Sequence, residues 1–511
     1  MLRGRVRLPL PARVVPILVL LALSCADPPP APPPPPRTVV LVSLDTTRAD
    51  ALSSYAEQSH WGLAFPADSR PTPATPVIDG LAASGVRFAW ALAHSPTTLS
   101  SHTSLLSGRD SHRHRVPRNG YPVSADIPLL QDRLQAVGWD TVAVIGSSAL
   151  EQKMGLNRGF SVYNDPGPQP PGGMYMLPAE EVTKRALAEV DAHMSDPARQ
   201  SADLFLFVHY YDAHMPWFTA PADVVQQFTR PDYAGPIDGG MPSIGLLTKA
   251  RIAGTLKYGD ARHARGLYLA QVAHTDTQVG VLLDGLAARG LVDDRLVIVT
   301  ADHGEVLDED AKYPYTHGPS TALEALHVPL VVQGSGRMDV PDGVVVQRSV
   351  RLQDVATTIL GVIGDPTIMG DGEDLAPLWR GSTAPMPPSF AEASRPMNLE
   401  QPDKWNNANL ERSVFLDGLA LRYRPAERGL ATLHSVAPGA PQLSQGARVR
   451  ELAALIRQWD AAAPAWVPPS YDDETAKALQ ALGYLDDDSA QLKASPSAAP
   501  PPASPLTGSP P

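Results

Sequence analysis

Short runs of apolar and β-branched residues recur along the middle of the chain and predict buried strands. They are Thr38–Leu44, Thr141–Ile145, Asp203–Val208, Leu296–Thr300 and Val328–Val332. Their lengths suit strands rather than helices. Segments with helical patterns lie between them, and this alternation predicts an α/β fold with a largely parallel sheet between helices.

Three helices of this alternation have recognisable signals. Thr75-Pro76 is a cap followed by proline at the first helical position, and it leads into an apolar run that ends at Gly85. Pro178–Met194 and Arg265–Ala288 are longer amphipathic segments. We therefore expect helices at all three places.

The chain after about residue 385 has a different pattern, which predicts a smaller C-terminal subdomain over residues 385–487. Short antiparallel strands are expected at Ser413–Leu416, Leu419–Tyr423 and Gly429–His434, and a helix at Val449–Trp459. The preceding residues, 38–384, would form the main domain. The Pro/Ala/Ser-rich tail, residues 488–511, has a composition that cannot build a core and is expected to be disordered.

The first residues have the features of a bacterial export signal. Four arginines precede a short apolar run, which ends at Leu23-Ser24-Cys25. We expect residues 1–25 to be a signal peptide of lipoprotein type, with Cys25 lipidated, and the Pro-rich residues 26–37 to be a linker. A plain secretory signal is the alternative. Either way the expected location is the periplasm or cell envelope.

The overall composition narrows the classes of function. Acidic residues outnumber basic ones and give a net charge of −12, which argues against nucleic acid as a partner and gives no reason to expect a patch for anionic membranes. Cys25 is the single cysteine, so neither an intrachain disulfide nor a cysteine metal site can form.

Carboxylate and imidazole residues follow three of the apolar runs. They are Asp45 after the first, His209, Asp212 and His214 after the third, and Asp302 and His303 after the fourth. Ligands of open parallel sheets bind beyond the carboxyl ends of the strands, so we expect these side chains to converge there. A lone Asp in such a place is usually a helix cap, but three strand ends together favour a divalent ion such as Zn, Mn, Mg or Ca.

A hydroxyl-rich segment, SPTTLSSHTSLLSG at residues 95–108, precedes and opens a short helix that Gly108 should end. One interpretation is a capping loop. The other is a hydroxyl nucleophile at a helix start, where backbone amides can hold an anion. The spacing alone does not say which hydroxyl would act.

Several ordered motifs resemble the sulfatase family of the alkaline phosphatase superfamily. They are VVLVSLDTTRAD at 39–50, SHTSLLSGRDSHRHRV at 101–116, DTQVGVLLDGLAARGLVDDRLVIVTADHGE at 276–305, ALEALHVPLVV at 322–332, DVATTIL at 354–360 and LQALGYL at 479–485. The resemblance implies an α/β sandwich with a central, mostly parallel sheet and a smaller C-terminal antiparallel sheet. It also implies a hydrolase that acts on sulfate or phosphate esters of small molecules, glycans or lipids.

The resemblance implies roles for individual residues. Asp45, Asp302 and His303 match metal ligands, and Thr98 matches the nucleophile. His102, also assigned to the catalytic set, stands where the usual motif has Arg.

Two further residues match the substrate side of the resembling site. His214 matches a histidine that contacts the anionic substrate, and His317 a residue that contacts substrate or metal. Together with Asp212 they could instead form a second metal site.

Departures from the family pattern shape the expected chemistry. Thr98 stands where sulfatases carry the Cys or Ser that becomes formylglycine, so no formylglycine is expected. Thr46 replaces a second metal-binding Asp, and His303 replaces Asn. These changes resemble the phosphatase and phosphotransferase side of the superfamily, and they favour phosphate-type esters with a covalent Thr98 intermediate. The alternatives are an envelope transferase of phospho groups and a non-catalytic binding protein.

Overall fold

The computed structural model describes residues 34–58, 71–167, 176–393, 411–424, 430–435 and 445–462. The expected signal peptide, most of the linker, the motif at 479–485 and the expected C-terminal tail lie outside these residues. Every described strand and helix belongs to the unit Pro36–Pro511.

The secondary structure alternates between strands and helices through most of this unit. The strands are β1 (Thr38–Leu44), β2 (Val86–Leu92), β3 (Asp140–Ile145), β4 (Val162–Asn164), β5 (Leu204–Tyr210), β6 (Arg295–Thr300), β7 (His327–Val328), β8 (Leu330–Gly334), β9 (Val344–Arg351), β10 (Ser389–Ala393), β11 (Glu411–Leu416), β12 (Leu419–Arg424) and β13 (Leu430–Ser435). The α-helices are α1 (Pro76–Ala83), α2 (Thr98–Ser107), α3 (Ser111–His114), α4 (Leu130–Ala136), α5 (Ala179–Ser195), α6 (Ala222–Phe228), α7 (Met241–Ile252), α8 (Tyr258–Ala288), α9 (Leu323–Leu326), α10 (Asp354–Val362), α11 (Ala376–Trp379) and α12 (Gln445–Ala462).

The large sheet confirms the predicted fold class. Its strand order is β4-β3-β5-β1-β6-β8-β2-β7, with β9 paired to β2. The run from β4 to β6 is parallel, whereas β8 is antiparallel to β6 and to β2. Every residue of β1 is buried, as a central strand covered on both faces requires. β1 therefore lies between β5 and β6, the two strands whose ends carry the other candidate ligands.

Two details of the sheet differ from the expectation. The run Val328–Val332 is not one strand: it divides into β7 and β8 at Pro329, which has no N–H to donate to a strand ladder. Sequence patterns also missed β2 and β9, which pair with each other in parallel at the far side of the sheet.

The predicted helices are present, and one is longer than expected. α1 and α5 begin within one residue of the predicted positions, whereas α8 begins at Tyr258 instead of Arg265. None of the described helices is both long and apolar enough to cross a bilayer.

A second sheet, of β10 to β13 in sequential antiparallel order, forms the C-terminal part of the unit. β11, β12, β13 and α12 lie where short strands and a helix were expected. α12 reaches the main body through Trp459, whose ring stacks on His112 at 3.5 Å and whose Nε1 donates to Asp110 at 2.8 Å. The His112 side chain is therefore buried at this contact.

Gly108 ends α2 and fixes how this helix meets the chain around Met369. It adopts φ +68°, and a Cβ at this position would lie 2.0 Å from the carbonyl oxygen of Met369. Because only glycine tolerates both the left-handed conformation and this approach, α2 is locked in place at its C-terminal end.

We expect Gly108→Ala to destabilise the protein more than Gly138→Ala does. Gly138 also has a positive φ, +90°, but a Cβ added there would meet nothing within 4 Å. Each substitution should cost about 1–2 kcal/mol for the left-handed conformation, and Gly108→Ala about 1–3 kcal/mol more for the forced contact. Urea unfolding of both variants measures the difference, and equal losses would contradict the packing argument.

Candidate active site

The carboxyl ends of β1 and β6 bring three candidate ligands together. The sheet register aligns Ser43 with Thr300, and Asp45 and Asp302 lie two residues further along their strands. One ligand atom each from Asp45, Asp302 and His303 lies within 4.8 Å of the others, and all three side chains are buried. The expected convergence at this edge of the sheet is therefore found.

Each of these side chains keeps one polar atom free. Asp45 Oδ1, Asp302 Oδ2 and His303 Nε2 are buried and have no hydrogen-bond partner. The other atoms of Asp302 and His303 are held by the backbone: the amides of Thr46 and His303 donate to Asp302 Oδ1 at 3.2 and 2.8 Å, and His303 Nδ1 donates to the Gly304 carbonyl at 2.9 Å. Free buried acceptors held this way fit a metal ion, since an unsatisfied buried polar atom is otherwise costly.

The raised pKa values of the two carboxylates also favour a bound cation at this edge. Burial raises the pKa of Asp45 to about 8, although His317 and the Thr98 hydroxyl oppose the rise. Burial and the neighbouring Asp45 carboxylate raise the pKa of Asp302 well above its ordinary value. Two buried carboxylates side by side need a positive charge between them, and a divalent cation with carboxylate and imidazole ligands supplies one.

His209, near the carboxyl end of β5, supports one of the ligands. Its Nε2 donates to Asp45 Oδ2 at 3.1 Å. Burial lowers the pKa of His209 to about 3, so the ring is neutral and its single N–H is the one that Asp45 accepts. His209 therefore orients a carboxylate, a role that a ligand's hydrogen-bonded neighbour often has in metal sites.

The hydroxyls of residues 95–101 are not equivalent. Thr97 Oγ1 and Ser95 Oγ share a hydrogen bond of 2.9 Å, Ser100 Oγ donates to the Val116 carbonyl at 2.6 Å, and Ser101 Oγ donates to the Asp302 carbonyl at 2.5 Å. Thr98 Oγ1 is buried and has no partner in its own loop; its hydroxyl faces Asp45 and, as a hydrogen-bond donor, lowers the pKa of that carboxyl. Of the five hydroxyls, Thr98 is thus the one left available beside the candidate ligands.

Thr98 is the first residue of α2, as expected for a nucleophile at a helix start. The next amide, that of Leu99, is already engaged, because it donates to Asn119 Oδ1 at 2.8 Å. Sequence patterns did not single out Asn119, which lies beyond α3.

His102 has a different place from the catalytic one expected of it. Its Nδ1 donates to the Thr98 carbonyl at 2.7 Å, and its Nε2 accepts from Ser43 Oγ at 2.8 Å. Burial lowers the pKa of His102 well below its ordinary value, with His209 adding to the effect. With both nitrogens occupied, His102 ties the start of α2 to β1 and positions Thr98, rather than exchanging protons with a substrate.

His214 and His317 lie against the metal side of the site. The His317 ring is 4.7 Å from that of His303 and 4.8 Å from that of His214. His317 Nδ1 donates to Glu305 Oε2 at 3.2 Å, and His214 Nδ1 donates to the Met215 carbonyl. Nε2 of each ring is therefore left for another partner. Burial and the neighbouring His317 lower the pKa of His214 well below its ordinary value, so this ring is neutral and its Nε2 can only accept.

Glu305 was not among the predicted site residues, although it closes the same TADHGE motif as Asp302 and His303. Burial by itself lowers the pKa of His317, but the carboxylates of Glu305, Asp45 and Asp302 outweigh it and raise that pKa above the ordinary value. The ring is thus biased toward the charged form.

Asp212 is not brought together with His214 and His317. Its Oδ1 accepts from the Ala179 amide at 3.1 Å and so caps α5. Within the described ranges, Asp45, Asp302 and His303 are the one group of three that could hold a metal ion. The predicted second metal site of Asp212, His214 and His317 is therefore not assembled.

A buried polar network holds the loop that carries Asp45. Arg48 pairs with Asp50 at 2.8 Å and also with Glu309 at 2.7 Å. The Tyr268 hydroxyl accepts from the Arg48 amide at 3.0 Å and donates to the Thr46 carbonyl at 2.9 Å. Thr46 itself has φ +49°, so this clamp holds a conformation that threonine rarely adopts.

Comparisons with known proteins show what the chain is similar to. The family model for Sulfatase matches residues 37–364, more than half of the chain. Arylsulfatase K of Danio rerio is 32% identical over 120 residues, which cover 23% of this chain and 22% of that protein. A low-salt glycan biosynthesis sulfotransferase of Haloferax volcanii is 36% identical over 96 residues, which cover 18% of this chain and 23% of the relative.

Similarity to a solved structure extends much further along the chain. The phosphonate monoester hydrolase of Agrobacterium radiobacter superposes with a TM-score of 0.60 at 20% identity, covering 83% of this chain and 95% of that one. At this identity the likeness shows a shared fold. The curated relatives, by contrast, are matched over less than a quarter of their own length.

Asp302→Asn should abolish the binding of a divalent ion to the protein while leaving the loop intact, since Asn keeps an oxygen for the two backbone amides. We expect about one ion per chain in the unaltered protein by elemental analysis. Metal added at a hundred times Kd should raise the free energy of unfolding of the unaltered protein by about 2.7 kcal/mol, and its melting temperature should rise accordingly. The melting temperature of the variant should not change.

Asp212→Asn is the matched control, because it replaces another buried carboxylate near this edge. It should keep the ion. Loss of metal from Asp212→Asn, or an unchanged metal content in Asp302→Asn, would contradict the assignment of the site.

Proposed function

The chain belongs to the sulfatase family, and from this premise we propose that it is a metal-dependent hydrolase of phosphate or sulfate esters with Thr98 as its nucleophile. The single observation that carries the proposal is the buried Thr98 hydroxyl, which has no partner in its own loop and faces Asp45, beside three unsatisfied ligand atoms. A binding protein on the same fold would have no need of this costly arrangement. Fold alone does not decide the activity, so the proposal rests on these side chains.

Asp45, Asp302 and His303 would hold the cation, which could be Zn, Mn, Mg or Ca. When bound, it supplies positive charge that lowers the pKa of a nearby hydroxyl and offsets the negative charge of the ester. His209 keeps Asp45 oriented, and the backbone amides of Thr46 and His303 keep Asp302 oriented.

The reaction proposed for these residues has two displacement steps. Thr98 Oγ1 loses its proton and bonds to the phosphorus or sulfur atom, and the bond to the leaving alcohol oxygen breaks as that oxygen takes up a proton. Water then attacks the Thr98 ester, releases phosphate or sulfate and restores the hydroxyl. His317 would donate Nε2–H to the ester oxygens, and its raised pKa favours the binding of an anion. His214, which is neutral with its proton on Nδ1, would lie beside His317 at the substrate.

Phosphate-type esters are the favoured substrates in this proposal. Formylglycine forms from Cys or Ser, so Thr98 must act as an ordinary hydroxyl. A formylglycine hydrate releases sulfate by elimination, whereas a Thr98 ester has to be hydrolysed. The matched proteins include both an arylsulfatase and a phosphonate monoester hydrolase, so similarity supports either class and the chemistry of Thr98 favours the second.

A transferase is the second candidate, and the similarity to a sulfotransferase supports it. The first step would be the same, and an acceptor alcohol would replace water in the second. Product analysis with and without added alcohols separates the two activities.

Thr98→Ala should lower kcat by at least roughly a thousandfold, the scale of a lost nucleophile. Thr98→Ser should retain measurable activity because the hydroxyl survives. Protein quenched during turnover should carry a phosphoryl or sulfuryl group on Thr98, which peptide mass spectrometry detects. Thr97→Ala is the matched control, and it should keep activity within about tenfold because the Thr97 hydroxyl already bonds Ser95.

The same assay decides the substrate class when aryl sulfate, phosphate monoester and phosphate diester are compared across several metals. Higher kcat/KM on the phosphate-type esters supports the preference. Sulfatase activity far above the other two would refute the preference alone. A covalent group on another residue, or full activity in Thr98→Ala, would refute the nucleophile.

We also infer that the protein is exported and anchored through a lipidated Cys25, in the periplasm or cell envelope. The arginine-rich start, the apolar run and the position of Cys25 support this. Intact-mass measurement should give a chain that begins at Cys25 with added acyl mass, and it should partition with membranes. A processed chain without acyl mass would remove the anchor, and an unprocessed Met1 in the cytosol would refute export.

A further inference from the structure

Large apolar side chains are exposed together in one stretch of the chain. Of the eleven such side chains among the described residues, five fall between residues 218 and 258, and they are 36% to 62% exposed. They are Phe218, Met241, Leu246, Ile252 and Tyr258. Isolated exposed apolar residues are ordinary, whereas a group of this kind usually marks a contact surface.

α7 carries three of these residues on its outward side. Met241, Leu246 and Ile252 are exposed, whereas Ile244 and Leu247 of the same helix are buried. The helix is therefore apolar on both sides, and its only exposed charged side chain is Lys249. An ordinary surface helix keeps charged and polar residues on its outward side.

The charge of α7 and of the residues that follow it as far as Tyr258 is opposite to that of the whole chain. Between Asp238 and Asp260 there is no acidic residue, whereas Lys249, Arg251 and Lys257 are basic. The net charge of the chain is −12. The exposed apolar side chains from Met241 to Tyr258 are interspersed with lysines and with no carboxylate. They fit a partner that is apolar and negatively charged, as an anionic lipid surface is.

This surface adjoins the loops of the active site. Arg251 Nε donates to the carbonyl of Asp308, in the loop that follows Asp302 and His303. The Trp217 amide donates to the Gly239 carbonyl at 2.9 Å, which ties the loop after β5, with His214 and Phe218, to the chain just before α7. Contact through α7 would therefore hold the catalytic edge of the sheet close to the partner.

We propose that the outward face of α7, together with Phe218 and Tyr258, docks the protein on an anionic lipid surface. The apolar side chains enter the boundary between headgroups and acyl chains, and Lys249 and Lys257 contact the lipid phosphates. This contact is separate from any acyl group on Cys25, and it orients the molecule where an acyl chain alone only tethers it.

The test measures binding to vesicles by sedimentation, using the full-length chain with Cys25→Ala in every arm so that the N-terminal segment contributes equally. The vesicles contain equal parts of phosphatidylglycerol and phosphatidylcholine, or phosphatidylcholine alone. The α7 variant combines Phe218→Ser, Leu246→Gln and Ile252→Gln. We expect it to lower the partition coefficient on the anionic vesicles at least about tenfold.

A control variant makes three matched changes on other elements: Val137→Gln, Val281→Gln and Ile368→Gln, at side chains that are also exposed. It should bind as the parent does, and both variants should turn over a soluble aryl ester at the parent rate, which reports an intact fold and site.

A second variant, Lys249→Gln with Lys257→Gln, should reduce the preference for anionic over neutral vesicles. The proposal is overturned if the α7 variant binds like the parent or if the control loses binding equally. It is also overturned if sedimentation shows a dimer of the parent that the α7 variant cannot form, since a second copy then covers this face.

Discussion

The placement of two carboxylates at one buried point governs the rest of this structure. Asp45 and Asp302 have oxygens within 4.8 Å of each other and no access to water. Two unit charges at that separation repel by at least about 3 kcal/mol even at an effective dielectric constant near 20. A fold that keeps them there must hold one oxygen of each carboxylate by hydrogen bonds and leave the other oxygen free to bind a cation. His209, the backbone amides after β1 and β6, and the clamp of Tyr268 on the Asp45 loop meet the first requirement.

The position of Thr98, the proposed nucleophile, depends on the same buried carboxylates. α2 begins where its first residue faces Asp45, and Gly108 and His102 determine that position from the two ends of the helix. Each neighbouring hydroxyl is satisfied within its own loop or by a carbonyl, so Thr98 carries the hydroxyl that is left for the proposed reaction. A histidine in place of the arginine of related motifs then has a clear consequence. It is neutral and fully hydrogen-bonded, so it can hold a helix but adds no charge for an anionic substrate.

The predictions from the sequence succeeded where the signal was local. The bounds of β1 were predicted to the residue, because a continuous β-branched run flanked by polar residues is unambiguous. Residues after strand ends were brought together because parallel strands share one carboxyl edge, a rule that needs no side-chain detail. The short C-terminal strands and α12 were also predicted correctly, because each has a local pattern of apolar and polar residues. β2 and β9 were missed, and Asp212 was assigned to a metal although it caps α5, since an Asp after a strand looks the same in either role.

By itself, then, the sequence determined the fold class, the family, the edge of the sheet that carries the site, and the residue types available there. The tertiary structure decided which of five hydroxyls is free, which histidines are occupied, and that Glu305, Asn119 and Tyr268 belong to the surroundings of the site. It also showed a basic, apolar surface on a chain whose overall composition is acidic. The physical reason is the same in each case: hydrogen bonds and charges act over a few ångströms, between residues as far apart as Thr46 and Tyr268, and no periodicity along the chain records which atoms those distances will join.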